Sequence, residues 1–370
     1  MKYYIIAGEA SGDLHGSNLM KALGRKDSNA HFRVWGGDKM KAEGGELVKH
    51  FKDLAFMGFV EVVMNLRTIL GNLKFCKEDL ERYKPDVVVL IDYPGFNLRI
   101  AEYAHLKGYK VIYYISPQIW AWKQNRVHKI KRTVDRMLCI LPFEQEFYSR
   151  FDYQVDFVGH PLIDAIEGRK DFDPETRKKE LGLDEKPVIA LLPGSRQQEI
   201  QTMLPLMLKA VRNYTGYQVV VAAAPSQNRS FYQDIIGEQP VSVVEGRTYD
   251  LLEVTKAALV TSGTATLETA LFKVPEVVCY KGSWMSYWIA RQLVKVKYIS
   301  LVNLIMDREV VTELIQGEMN TRRLQSELEK CLQKDYRDRL NTDYDQLIQK
   351  LGGTGASANA AEIIAEEVGI

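Results

Sequence analysis

Asp86-Val87-Val88-Val89-Leu90-Ile91-Asp92 is the stretch on which the fold turns. A strand with one wet face alternates apolar and polar residues. An unbroken β-branched run reads instead as a strand covered on both faces, the mark of a parallel sheet between two layers of helices. Working outward, the same character recurs at residues 3–7, 110–115, 137–141 and 154–158, with a shorter run at 33–35, and helix-length segments lie between them. A second series follows at 188–192, 218–223, 241–244, 258–261 and 276–280. Two such series predict an α/β chain of two Rossmann-like, doubly wound domains facing a central cleft. The expected bounds are 1–163 and 164–340. A polar stretch at 164–186 links the two, and a helical tail at 341–370 is expected to pack back on the first domain.

Composition agrees. At roughly 150 residues per domain, 370 residues suggest two. A chain 46% hydrophobic and 26% charged is neither disordered nor a disulfide scaffold. Lys+Arg 49 against Asp+Glu 48 gives a net charge of +1, without the basic excess of a general nucleic-acid binder. Cys76, Cys139, Cys279 and Cys331 are scattered and form no CxxC pair, which fits a reducing compartment. No apolar run approaches the ~18 residues of a membrane span, and the N-terminal run is too short for a signal peptide. The expectation is a cytoplasmic protein whose membrane contact, if any, is peripheral. No Gly-Lys pair marks a nucleotide P-loop, and the six histidines are dispersed. Neither a metal nor a cofactor is expected.

In open α/β sheets, ligands bind outside the carboxyl ends of the strands, and four motifs stand there. Gly8-Glu9-Ala10-Ser11-Gly12-Asp13 follows the first strand and precedes a helix expected at 14–23. Its acidity suits hydroxyl groups better than a pyrophosphate; Ser11 or Asp13 capping the helix is an equal reading. Asp92-Tyr93-Pro94-Gly95-Phe96-Asn97 closes the apolar strand with a carboxylate. A carboxylate so placed costs free energy unless it is used. It can serve as a general base on a hydroxyl, or more plainly bond its own turn. Pro193-Gly194-Ser195-Arg196 offers close backbone approach, a hydroxyl and a guanidinium, the groups that hold a phosphate. Ser262-Gly263-Thr264-Ala265 opens a helix whose backbone N–H groups favour an anion, and Glu268, one turn on, is placed for ribose hydroxyls.

Two segments hint at a lipid. Val62, Val63, Leu66, Ile69, Leu70 and Leu73 recur at helical spacing, the preceding Phe56-Met57-Gly58-Phe59-Val60 adds bulk, and Met203 is a further candidate for acyl chains. Such a stripe is ordinarily core; its breadth also suits acyl chains or a bilayer surface. Trp120 and Trp122 stand beside Lys123 and Arg126, which suits either a solvated helix with one buried ring or an anionic membrane interface.

Taken in order, these motifs resemble one family. Gly8 to Asp13, Met57-Gly58-Phe59-Val60-Glu61-Val62, Asp92 to Asn97, Ser116-Pro117-Gln118-Ile119-Trp120-Ala121-Trp122, Leu141-Pro142-Phe143-Glu144, Gly159-His160-Pro161, Leu192 to Arg196, Ser262 to Ala265 and Tyr298-Ile299-Ser300-Leu301-Val302-Asn303-Leu304 run nearly the length of the chain. The set is similar to that of the lipid-A-disaccharide synthases. The resemblance implies a GT-B glycosyltransferase that joins UDP-2,3-diacylglucosamine to 2,3-diacylglucosamine 1-phosphate, with inversion, at the cytoplasmic face of the inner membrane. It implies that Asp92 is the catalytic base. Gly194, Ser195, Arg196, Ser262, Gly263, Thr264, Ala265, Glu268 and Asn303 would hold the UDP-sugar, and Glu9, Ser11, Gly12, Asp13 and Asn97 would face the acceptor. Val302 replaces the family's usual proline, and Gly95 stands in a loop that usually reads Ala-Pro-Asp. A UDP-N-acetylglucosamine epimerase, another sugar transferase, or a non-catalytic lipid- and nucleotide-binding protein are the alternatives. An oligomer of identical chains is left open.

Overall fold

The computed structural model describes residues 1–54, 66–167, 169, 172–282 and 296–370. They form two compact units: Met1–Asp164 with Leu351–Ile370, and Ala165–Lys350.

The first unit is built on β1 (Lys2–Ala7), β2 (His31–Gly36), β3 (Glu46–His50), β4 (Val87–Ile91), β5 (Lys110–Tyr114), β6 (Arg136–Cys139) and β7 (Asp156–Phe157). All pair in parallel in the order β3-β2-β1-β4-β5-β6-β7. Every residue of β4 is buried, as its unbroken apolar run requires. One face of the sheet carries Tyr3, Ile5, Val89 and Ile91 against Leu19, Met20 and Leu23 of the helix Ala10–Lys26, and against Ala360, Ala361 and Ile364 of the helix Ala356–Val368. The first helix begins at Ala10, four residues before its expected start. Ser11, Gly12 and Asp13 therefore lie in a helical turn rather than in a loop. A Cβ on Gly12 would stand 3.0 Å from the Ala7 side chain, so this glycine lets helix and strand close together.

The second unit repeats the winding. β8 (Val188–Leu192), β9 (Gln218–Ala223), β10 (Val241–Glu245), β11 (Thr255–Thr261), β12 (Glu276–Tyr280) and β13 (Thr312–Ile315) run parallel in the order β10-β9-β8-β11-β12-β13. The helix Gln197–Val211 buries Ile200, Met203, Leu204, Met207 and Leu208, at spacings of three and four, against β8 and β9. Met203 is 1% exposed. It is a core residue and cannot belong to a lipid-facing stripe. The helix Lys334–Lys350 buries Leu340, Tyr344 and Leu347 and stays with this unit, so residues 341–350 do not join the returning segment.

In each sheet the chain winds outward in both directions from one central pair, β1/β4 and β8/β11. Loops leaving that pair diverge and open a crevice at the carboxyl ends. The four strand-end motifs occupy these two points.

Candidate functional site

In the first unit, Ala7 and Ile91 are register partners at the ends of β1 and β4, so the loops at Gly8-Glu9 and Asp92-Tyr93 are neighbours. Asp92 and Tyr93 both have positive φ, 44° and 49°. Two consecutive side-chain-bearing residues in the left-handed region are costly, and the surroundings must hold them. Asp92 N–H donates to Tyr114 O at 3.1 Å, and the Asp92 carbonyl accepts from Tyr113 Oη at 2.5 Å and from Asn97 Nδ2 at 2.8 Å. Tyr93 Oη donates to Leu54 O at 3.1 Å, and its ring stacks on Phe96. Gly8 lies directly beneath that ring.

The main chain of Asp92 is thus pinned while its side chain stays partly exposed. Burial, and after it the nearby Glu9 charge, raise its carboxyl to about 7 against the opposing hydrogen bond from Tyr93 N–H. A carboxylate tuned to neutrality can take a proton from a hydroxyl and pass it on.

Several residues expected beside it have other tasks. Asn97 is fully buried, and its Nδ2 donates to the carbonyls of Ile6, Ile91 and Asp92. It braces the Asp92 turn and does not face an acceptor. Asp13 is buried and accepts from the backbone N–H groups of Gly37 (2.7 Å), Lys39 (3.1 Å) and Met40 (3.0 Å). It caps the following short helix, Asp38–Ala42, and its carboxylate is spent there. Ser11 is exposed in the first helical turn. Of the acidic motif, Glu9 is partly exposed and its charge acts on the Asp92 carboxyl.

In the second unit, the ends of β8 and β11 enclose a pocket of about 190 Å³ lined by Gly194, Ser195, Ser262, Gly263, Thr264, Ala265 and Glu268, among others. The helices Gln197–Val211 and Thr264–Leu271 both begin here, so two positive helix ends converge on it. Gly194 has φ +106°, and a Cβ there would press on Glu199 at 2.9 Å. Arg196 is 70% exposed and pairs with Glu199 at 3.3 Å. Such a surface pair is worth about 0–1 kcal/mol, so an anion can outbid it. Glu268 accepts from Tyr249 Oη at 3.1 Å; burial raises its carboxyl, and this bond opposes the shift. Ser262 Oγ donates to Ile299 O at 2.9 Å. A larger open hollow of about 610 Å³ lies by Glu309, Glu327 and Arg339. It borders Thr312, the amino end of β13, which is the wrong end of a parallel sheet for a switch-point ligand.

Asn303 does not reach this pocket. It is 0% exposed; its Oδ1 accepts from Val310 and Val311 N–H, and its Nδ2 donates to Val311 O and Glu313 Oε1. All of its hydrogen-bonding capacity is used inside the unit. Glu313 also accepts from the N–H groups of Ile299 and Ser300, so the asparagine motif anchors the loop that meets Ser262.

Of the expected lipid patch, Phe59, Val62 and Val63 lie outside the described residues, as does the side chain of Leu66. In the helix Leu66–Tyr83, Ile69 is half-buried and Leu70 is 53% exposed. Trp120 is buried edge-on against Phe143 and is not available to a membrane. Trp122 is exposed, with Lys123 Nζ 4.2 Å and the Arg126 guanidinium 6.0 Å from its ring centre. No helix among the described residues is long and apolar enough to cross a membrane.

Comparison with known proteins places this geometry. The family profile described as lipid-A-disaccharide synthetase matches residues 3–368. The lipid-A-disaccharide synthase of Syntrophus aciditrophicus is 42% identical over 366 residues, covering 96% of this chain and 95% of that protein. That of Myxococcus xanthus is 40% identical over 374 residues, covering 98% and 96%. Among solved structures, UDP-GlcNAc 2-epimerase from Neisseria meningitidis bound to UDP-GlcNAc superposes with a TM-score of 0.68 at 13% identity, covering 100% of this chain and 99% of that one. CalG4, the calicheamicin glycosyltransferase, does so with a TM-score of 0.62 at 16% identity, again covering 100% and 99%. At such identities the likeness speaks for the fold alone, the GT-B architecture shared by these transferases and epimerases. The relatives that match end to end speak for more: this chain belongs to the lipid-A-disaccharide synthetase family.

Proposed function

We propose that the protein is an inverting glycosyltransferase that joins UDP-2,3-diacylglucosamine to 2,3-diacylglucosamine 1-phosphate, giving a β-1′,6-linked lipid A disaccharide 1-phosphate and UDP. The observation that carries this reading is the match to the family over residues 3–368. The chemistry of the two switch points supports it.

In this mechanism Asp92 accepts the proton of the acceptor 6-hydroxyl as that oxygen attacks the donor's anomeric carbon. The bond from that carbon to the diphosphate breaks, and UDP leaves with the electron pair. Charge grows on the diphosphate, so groups that meet it there lower the barrier. Arg196, Ser195 and the N–H groups at Gly263 to Ala265 take that part, and Glu268 takes the ribose hydroxyls. A test is to mix the purified protein with the two lipid sugars and follow products by mass spectrometry. One disaccharide 1-phosphate per UDP is expected; a donor epimerised at C2, or UDP-sugar left untouched, would sink the reading.

Two outcomes follow for the site. Arg196→Ala should fold normally, because the side chain is exposed, and should weaken UDP about tenfold, some 1.4 kcal/mol. Calorimetric titration with UDP decides, and an unchanged Kd would remove Arg196 from the phosphate site. The pH dependence follows from Asp92. Its carboxyl is raised to about 7, so below that pH it carries the proton it needs to accept. Then kcat/KM should climb as pH rises through about 7. Glu9→Gln removes a like charge and should move this rise to lower pH; a rise that stays in place would exclude Glu9 as a tuning group.

We also propose that the protein docks peripherally on an anionic membrane, with Leu70, Trp122 and Lys123 as contacts. Leu70→Ser with Lys123→Glu should leave thermal unfolding unchanged and abolish cosedimentation with phosphatidylglycerol vesicles. Wild-type cosedimentation would refute the contact.

A further inference from the structure

The loop at residues 115–126 follows β5, the strand beside β4, and so leaves the sheet next to Asp92. Tyr113, in β5, donates to the Asp92 carbonyl. Ile115 and Lys123 have positive φ, 65° and 56°, so the loop is held in a costly shape at both ends. It presents Trp122 and Lys123 to solvent. Something must fix it.

Glu144 is placed to do so. It lies in the helix Phe143–Ser149 and is 1% exposed. Its Oε2 accepts from Leu141 N–H at 3.0 Å and from Ile140 N–H at 3.3 Å. The side chains of Ser116 and Trp120, both from the loop, approach the same carboxyl. Ser116 Oγ also shares a 2.8 Å hydrogen bond with the buried Tyr148 Oη. Gln124 Nε2 ties back to Trp120 O at 3.1 Å. Burial outweighs the surrounding donors and raises the Glu144 carboxyl to about 8, so the neutral acid prevails at pH 7. The reaction itself makes no use of this group.

Buried polar groups are ordinarily hydrogen-bonded, yet the buried Trp120 Nε1–H has no acceptor at hydrogen-bonding distance among the described residues. The loop therefore has one bond still to make. We propose that Glu144 is a positioning residue for the acceptor: it sets the 115–126 loop so that Trp122 and Lys123 meet the acceptor phosphate, and the Trp120 N–H closes on its carboxyl when the acceptor is seated. This rests on the reading that the first unit takes the acceptor.

The test uses steady-state kinetics with the acceptor varied, and UDP titration in parallel. Glu144→Gln, which mimics the neutral acid, should stay within twofold of the wild type. Glu144→Ala should raise the acceptor KM about tenfold, with kcat within threefold and UDP affinity unchanged. Trp120→Phe keeps the ring on Phe143 and removes only the N–H; it should raise the acceptor KM about fivefold without moving the thermal midpoint. A glutamine variant as poor as the alanine one overturns the proposal, as does a loss confined to kcat. Should the alanine variant not fold, Trp120→Phe decides alone, and an unmoved acceptor KM overturns it. Wild-type protein that forms no disaccharide would instead count against the proposed function.

Discussion

Asp92→Asn is expected to lower kcat by about 10²–10⁴-fold while UDP affinity and thermal unfolding hold. The substitution is nearly isosteric, and asparagine tolerates the left-handed φ of 44° at this position. Every hydrogen bond that pins residue 92 to Tyr113, Tyr114 and Asn97 runs through its backbone and survives. What disappears is a partly buried charge facing Glu9, so stability should hold or rise slightly. An amide cannot take the acceptor's proton at neutral pH, and the loss falls on turnover. The acid limb of the pH profile should vanish with it. If the variant turned over near the wild-type rate, the base would have to be sought elsewhere.

Gly8→Ala should be nearly as damaging, for a steric reason. An added Cβ would lie 2.3 to 2.6 Å from three carbons of the Tyr93 ring. That ring is not the loose end of a flexible chain. It is tied to Leu54 O and stacked on Phe96, and its backbone is the residue after Asp92. The ring must swing away and pull the turn with it. Overpacking of this kind typically costs about 1–3 kcal/mol. A displacement of about 1 Å at the base can cost roughly 100-fold in rate. We expect a lowered thermal midpoint, kcat reduced about 100-fold and UDP affinity retained, since the pocket proposed for UDP belongs to the other unit. Wild-type turnover with a lowered midpoint would separate Gly8 from the chemistry.

How far the sequence could be read depended on whether a residue's partners were local. The buried strands were legible because continuous apolar runs have one reading at that length. β3 and β13 were not. Glu46-Leu47-Val48-Lys49-His50 and Thr312-Glu313-Leu314-Ile315 form the outer strands of their sheets, where mixed polarity is tolerated and no apolar run forms. The strand-end motifs stood out because a glycine, a hydroxyl or a carboxylate interrupts an apolar pattern there. Which of those groups remain available to a ligand was not legible. Asp13 could be read as capping its own helix or binding a hydroxyl; its donors lie 24 to 27 positions further along. Asn303 spends itself on residues beyond the end of its own helix. Met203 could be lipid-facing or core until the face of its helix was known, although Ile200, Leu204 and Met207 at helical spacing hinted at the answer. The tuning of Asp92 by Glu9 arises from a pairing between strands more than 80 positions apart.

The helix Ala356–Val368 contributes Ala360, Ala361 and Ile364 to the core that Tyr3 and Ile5 begin. On a ribosome, all of Ala165–Lys350 must be made before that helix exists, a delay of on the order of ten to forty seconds at ~5–20 residues per second. The first unit to be translated is thus the last whose apolar interior can be completed. In the interval its partly uncovered sheet face is exposed to chaperones and to aggregation, and a nonsense mutation between Lys350 and Ile364 would harm the amino-terminal unit of the molecule most.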